Sequence, residues 1–164
     1  MLTFFSEGSR RRQARSELHD GALVTPFECP ERIDLVLAAL RQWAFEVRAP
    51  NDYGLAPVLA VHDAEYVAFL ENCWQAWQAA GHAGEAIPNI WPARTMRGDR
   101  IPQSVSGQLG YYALAAETSI TEGTFAAALA SKDTALAAID HTLATGEPTF
   151  GLCRPPGHHA AVDQ

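Results

Sequence analysis

The sequence predicts a single α/β domain in which helices pack on a mainly parallel sheet. Two short apolar segments, residues 2–5 and 149–153, have the length and composition of buried strands. The residues between them show helical periodicity, and no hairpin signal is identified there. A strand, several helices and a further strand in this order indicate a layered α/β architecture, and 164 residues are enough for one such domain.

The first strand is predicted at residues 2–5, because this apolar and partly β-branched segment ends at the turn-rich residues 6–9. The first helix is predicted from about Pro30 to Phe45. Proline is favoured at the first helical position, and Glu31 complements the positive end of the helix. Apolar residues then recur at helical spacing, at Ile33, Leu37, Leu40 and Ala44.

A second helix is predicted to begin after Asp63, whose carboxylate can accept hydrogen bonds from the unpaired amides of a first turn. Its apolar stripe consists of Val67, Leu70, Trp74 and Trp77. Aromatic residues at this spacing usually face a core, so the stripe is assigned to packing rather than to ligand binding.

Residues 79–102 are predicted to form a long loop, because glycine and proline interrupt every periodic pattern in them. Large apolar residues nevertheless remain there: Ile87, Ile90, Trp91 and Met96. Loops of this length are usually functional or disordered, and these side chains favour docking on another surface. We therefore expect this loop to contact a second subunit.

Two further helices and a strand complete the predicted domain. One helix begins near Val105, and a longer one ends at Gly146, because glycine suits the left-handed position after a helix. The apolar stripe of the longer helix is Phe125, Leu129, Leu136, Ile139 and Leu143. Residues 149–153 then predict a buried parallel strand.

Composition restricts the class of function. The formal net charge is -7, from 12 Lys and Arg against 19 Asp and Glu, which disfavours nucleic-acid binding and favours cationic ligands. The one basic run, residues 10–12 with Arg15, is interpreted as a solvated loop. No apolar run is long enough to span a membrane, and no secretion signal is recognised, so we expect a cytoplasmic protein. The three cysteines lie far apart and are predicted to be reduced thiols.

The strongest chemical signal is the run of residues 154–159, Arg-Pro-Pro-Gly-His-His, after the last predicted strand. Ligands of open α/β sheets bind at the carboxyl ends of strands, and a Pro-Pro-Gly turn holds the next residues in a fixed loop. Imidazole titrates near neutrality, so His158 and His159 can take a proton from water and return it to a leaving group, as amide hydrolysis requires. A pair that merely hydrogen-bonds a buried loop is the alternative.

The sequence resembles the arginase-deacetylase superfamily, and within it the acetylpolyamine amidohydrolase branch related to histone deacetylases. Residues 153–160 are similar to its Arg-Pro-Pro-Gly-His-His motif. Further similarity covers nearly the whole chain, at residues 17–18, 24–28, 62–66, 101–102, 107–112 and 116–118. The resemblance implies a three-layer α/β/α fold, of which residues 1–164 would be the N-terminal part of a truncated domain.

The resemblance also implies zinc-dependent hydrolysis of acetylated amines, foremost acetylpolyamines. His159 would be the general base and then the acid, and His158 would assist electrostatically. The family's metal ligands would lie beyond Gln164, so no metal ligand is expected in this chain, and the chain alone is predicted to be inactive. Residues 79–102 resemble an insertion that makes a homodimer contact. Glu117 would attract a cationic polyamine, or is an exposed charge at a helix end.

Three alternatives remain open. An acetyl-lysine deacetylase would share the same tandem histidines. A noncatalytic scaffold or binding protein with a deacetylase fold would explain the missing metal ligands. A metal-dependent phosphohydrolase is suggested only by His62-Asp63, and no phosphate-binding glycine-rich loop accompanies that pair.

Overall fold

The computed structural model describes residues 1–164. In chain order the elements are β1 (Leu2–Phe4), a 3-10 helix (Glu7–Arg11), β2 (Glu17–His19), β3 (Ala22–Val24), α1 (Glu31–Gln42), β4 (Val47–Arg48), α2 (Ala56–Leu59), α3 (Ala64–Ala79), α4 (Val105–Tyr112), α5 (Thr124–Thr145) and β5 (Thr149–Gly151). They divide into two compact units. The first unit comprises residues 1–13, 28–57 and 123–158, and the second comprises residues 14–27, 58–122 and 159–164.

The first unit contains a three-stranded parallel sheet with the strand order β4-β1-β5. β1 is central, and Thr3 is paired with Val47 on one side and with Phe150 on the other. Parallel neighbours need crossover connections, and α1 lies in the crossover from β1 to β4. The predicted α/β class with a mainly parallel sheet is confirmed.

Helices cover both faces of this sheet. Successive side chains of a strand point to opposite faces, so Phe4 and Phe5 face different layers. Phe4 packs in one cluster with Ala137 and Ala138 of α5. Phe5 packs in another with the buried residues of α1. The first unit therefore has the three layers α/β/α that the family resemblance implies.

The carboxyl end of α5 agrees with the prediction, but the buried face does not follow the predicted apolar stripe. Gly146 follows the helix in the left-handed conformation, with φ of 73°. The buried face consists of small residues, namely Ala127, Ala130, Ser131, Thr134, Ala137 and Ala138. Ile139 and Leu143, which belong to the predicted apolar stripe of this helix, are 53% and 79% exposed. The small residues allow close packing, since an ideal Cβ on Gly8 would lie 2.8 Å from the Ala130 Cβ.

The second unit is built around α3 and α4. Asp63 caps α3 as predicted, because its carboxylate accepts a hydrogen bond from the Glu65 amide at 2.7 Å. The core joins Phe69 and Cys73 of α3 to the buried residues of α4. Of the predicted stripe on α3, Val67 is buried, whereas the other three residues are only partly buried. No helix in either unit is both long and apolar enough to cross a lipid bilayer.

β2 and β3 form an antiparallel hairpin, so the expectation that this region lacks a hairpin is wrong. Its turn is Asp20-Gly21, with φ of 48° and 80°. Aspartate and glycine both tolerate positive φ, and for this reason an Asp-Gly pair favours a tight hairpin turn. The signal was present in the sequence, but the flanking strands have only three residues each.

Candidate active site

The tandem histidines follow the carboxyl end of β5. β5 ends at Gly151, and His158 and His159 lie in a turn where both residues are exposed. The carboxyl ends of parallel strands are where open α/β sheets bind ligands. The fold therefore presents two titratable, solvent-accessible imidazoles where a reaction can take place, and their catalytic roles stay a prediction.

Arg154 fixes the start of the segment that leads to the histidines. It is only 3% exposed, and its Nη1 donates a hydrogen bond to the Ser9 carbonyl oxygen at 2.8 Å. Its Nε lies 2.6 Å from Oε1 of Glu28. The other oxygen of that carboxylate, Oε2, accepts a hydrogen bond from Nη1 of Arg12 at 2.8 Å. One carboxylate therefore bridges two buried guanidinium groups.

A second anchor holds the next residue of the same segment. Ser131 of α5 is buried, and its Oγ donates a hydrogen bond to the Pro155 carbonyl oxygen at 2.8 Å. Burial also raises the pKa of the neighbouring Cys153 thiol. The thiol is therefore protonated near neutral pH, which disfavours Cys153 as a nucleophile.

The interpretation of residues 10–12 as a solvated loop is wrong for Arg12. Its side chain is buried against Glu28, and Arg10 also has acidic partners, Glu7 at 2.7 Å and Asp34 at 2.8 Å. Sequence reasoning missed the bridge that Glu28 forms. An arginine directly after a predicted buried strand does signal that an acid must lie nearby, because buried charges need partners. The sequence pattern did not identify which acid. The predicted burial of that strand is wrong for β5 itself, since Phe150 is 37% exposed at the edge of the sheet.

Glu117 is exposed and lies in a turn beyond α4, which ends at Tyr112, so the alternative of a charge at a helix end is wrong. Its suggested role in binding substrate remains a prediction.

His62 and Asp63, which suggested a phosphohydrolase, have structural contacts. Nδ1 of His62 lies 2.7 Å from the Ala161 carbonyl oxygen, and Asp63 caps α3.

The 164 residues do not form a zinc site by themselves. Structural and catalytic zinc sites use at least three protein ligands drawn from His, Cys, Asp and Glu. No group of three such side chains lies close enough together to hold a metal ion. Imidazole can accept and donate a proton, so proton transfer is one chemistry that the tandem histidines can supply.

The loop of residues 79–102 has local anchors but no regular element. Ala86 forms an isolated antiparallel bridge with Ile120, and the Trp91 indole donates a hydrogen bond to the Ala113 carbonyl oxygen at 2.7 Å. Ile90 crosses α4 at Gly110, where an ideal Cβ would lie 1.6 Å from the Ile90 carbonyl oxygen. The side chains of Ile90 and Met96 are exposed. A dimer contact through this loop stays a prediction.

Comparison with known proteins places this arrangement in context. Residues 26–164 match the histone deacetylase domain family. The chain is 48% identical to an acetylpolyamine amidohydrolase from Mycoplana ramosa and 44% identical to acetylpolyamine amidohydrolase 1 from Pseudomonas aeruginosa. Each alignment covers 99% of this chain and 48% of the relative.

A solved structure gives the same result for the fold. The crystal structure of an acetylpolyamine aminohydrolase from Burkholderia pseudomallei superposes with a TM-score of 0.89 at 36% sequence identity. The superposition covers 99% of this chain and 47% of that one. The chain thus spans about half the length of the curated relatives that it matches.

Proposed function

The chain belongs to the histone deacetylase domain family, and we propose that it forms the tandem-histidine half of an acetylpolyamine amidohydrolase. The observation that carries this proposal is the Arg-Pro-Pro-Gly-His-His sequence at the carboxyl end of a parallel strand in the fold of that family. The names of the relatives support acetylated polyamines as substrates. The whole protein would convert an acetylated amine and water into acetate and the free amine.

In this proposal His159 transfers the proton. Its neutral imidazole takes a proton from water as the water oxygen forms a bond to the acetyl carbonyl carbon. The resulting imidazolium gives that proton to the amine nitrogen as the carbon–nitrogen bond breaks. His158 stabilises developing charge next to this transfer. General acid–base catalysis of this kind typically accelerates a reaction by about 10² to 10⁴-fold.

We propose that zinc acts in the whole protein and that its ligands come from sequence outside residues 1–164. The chain's coverage of about half the length of its relatives supports this division. Residues 1–164 then supply the proton-transferring histidines and the part of the fold that holds them in place. By itself the chain is expected to be inactive.

The charge of the chain supports a cationic substrate. The formal net charge is -7, and Glu117 is an exposed carboxylate that would attract the free ammonium group of a polyamine. An acetyl-lysine peptide carries no such obligatory second ammonium group. Polyamines are therefore the proposed substrates, with the loop of residues 79–102 as the proposed homodimer contact.

The substrate class is tested by joining residues 1–164 to the C-terminal part of the Mycoplana ramosa relative. The kcat/KM is then measured for a monoacetylated diamine and for an acetyl-lysine peptide. We expect a preference for the diamine of about tenfold or more, which corresponds to about 1.4 kcal/mol of differential transition-state binding. Equal or reversed values would favour the acetyl-lysine deacetylase. A folded protein that hydrolyses neither substrate would favour the noncatalytic scaffold.

A further inference from the structure

We infer that Glu28 is a positioning residue: by bridging Arg12 and Arg154, its carboxylate holds in place the loop that carries His158 and His159. The catalytic part of this inference rests on the proposed function, whereas the structural part does not. Glu28 lies in a segment far from the histidines in sequence and touches neither reactant nor metal in the proposed reaction.

The bridge joins charged side chains that are largely buried, and the Glu28 carboxylate contacts both guanidinium groups. The side chains of Arg154 and Arg12 are 3% and 9% exposed, and that of Glu28 is 26% exposed. Two buried cations therefore share one bridging anion. Neither Nε nor Nη2 of Arg154 has a hydrogen-bond partner, so this guanidinium depends on its ion pair with Glu28 and on the hydrogen bond from Nη1 to the Ser9 carbonyl oxygen. Removing one partner of a buried ion pair is costly because an uncompensated charge remains.

The chain between Arg154 and the histidines is short and stiff. Two prolines, Pro155 and Pro156, and then Gly157 separate Arg154 from His158. The proline rings fix φ near −65°, so a shift of Arg154 is passed along the backbone. The hydrogen bond from Ser131 to the Pro155 carbonyl oxygen holds the same segment from α5. If Arg154 left its buried position to reach solvent, the start of the histidine loop would move with it.

The structural part is tested on the 164-residue chain by measuring backbone NMR order parameters at His158 and His159. We expect rigid values of about 0.85 in the original chain and values below about 0.6 in Glu28→Gln. The matched control is Glu71→Gln, which removes the same charge from an exposed residue in α3 and should leave the values unchanged. Equal order parameters in Glu28→Gln and the original chain, or a mobile loop in the original chain, would overturn the inference.

A second variant covers the case in which Glu28→Gln does not fold. Arg154→Lys keeps the positive charge but loses the guanidinium that contacts both Ser9 and Glu28. It should loosen the histidine loop while circular dichroism shows a folded chain. If both variants unfold the whole chain, the bridge serves stability rather than positioning, and the inference is wrong.

The catalytic part is tested in the joined protein described above. Glu28→Gln should lower kcat for the monoacetylated diamine by between about 10- and 100-fold with little change in KM, because small displacements of catalytic groups cost this much. Glu71→Gln should keep both constants. A kcat per folded molecule that stays unchanged in Glu28→Gln would contradict a positioning role. If the joined protein without substitution is inactive, the proposed function fails, while the order parameters still decide the structural part.

Discussion

The His159 imidazole is the side chain on which the proposed reaction depends most. In the joined protein, His159→Ala should lower kcat for a monoacetylated diamine by about 10² to 10⁴-fold, because the proton would have to move without a positioned acceptor. KM should change far less. Steady-state kinetics measures both constants, and the zinc content is determined on the same samples. An unchanged kcat with zinc fully bound would remove His159 from the mechanism.

The buried thiol of Cys73 is expected to make the free energy of unfolding depend on pH. It is 2% exposed in the core of the second unit, and burial raises the pKa of its thiol from 9.0 to about 12. Above pH 9 the unfolded chain therefore loses this proton and the folded chain keeps it, so unfolding becomes easier as the pH rises. Each pH unit between 9 and 12 should lower the free energy of unfolding by up to about 1.4 kcal/mol.

Urea unfolding between pH 8 and 11 checks this expectation. Cys73→Ala should flatten the decline, whereas Ile120→Val, at a buried residue of the same core that does not titrate, should keep the original slope. Burial raises the pKa values of Tyr66 and Tyr112 as well, so some decline should remain in Cys73→Ala. Identical slopes in all three proteins would show that the Cys73 thiol does not contribute.

A sequence identifies a functional residue most readily when its immediate neighbours in the chain carry the signal. Two adjacent histidines after Pro-Pro-Gly are recognisable because their type and spacing carry the signal. The partner of Arg154 is not recognisable in this way. Glu28 reaches Arg154 only after β1 and β5 have paired and the 3-10 helix has formed, so tertiary structure selects it among 19 acidic residues.

Helix α5 shows that capping determines where a helix ends, whereas packing determines which of its faces is buried. The position at which α5 ends is determined locally, because Gly146 adopts a positive φ at little cost. This end was predicted correctly. Its buried face is set by a neighbour that must approach closely. Alanine, serine and threonine therefore face inwards, and Ile139 and Leu143 face outwards. A rule that places large apolar residues inside fails for such a helix.

The end of α5 also gives a stability prediction. Gly146→Ala should lower the free energy of unfolding by about 1 to 2 kcal/mol, because a Cβ disfavours the left-handed conformation with φ of 73°. The matched control is Gly84→Ala, since Gly84 lacks a positive φ and has open space around it. Urea unfolding followed by circular dichroism compares the two variants. Equal effects would mean that backbone strain at Gly146 is not the cause.

For the molecule as a whole, the exposed apolar surface suggests contact with other chains. The loop of residues 79–102 exposes Ile90 and Met96, and β5 lies at an edge of its sheet. Open strand edges recruit further strands, so the isolated chain is expected to associate in size-exclusion chromatography. The contribution of the loop to association therefore has to be measured in the joined protein, in which the open edge of β5 is expected to be covered.

Deleting residues 83–97 in the joined protein should convert the proposed homodimer into a monomer, because the apolar side chains of the loop would no longer be available for the contact. Sedimentation velocity gives the mass before and after deletion. Replacing Glu117 with Gln is a control that changes an exposed charge and should leave the dimer intact. The same oligomer with and without the loop would refute the predicted contact.

We propose that residues 1–164 carry the proton-transferring half of an amidohydrolase and not a complete active site. It is tested most directly by the rate of acetate release from a monoacetylated diamine, with zinc supplied to the isolated chain and to the joined protein. We predict release by the joined protein and none above background by the isolated chain. Tight one-to-one zinc binding with release by the isolated chain at the rate of the joined protein would contradict the claim.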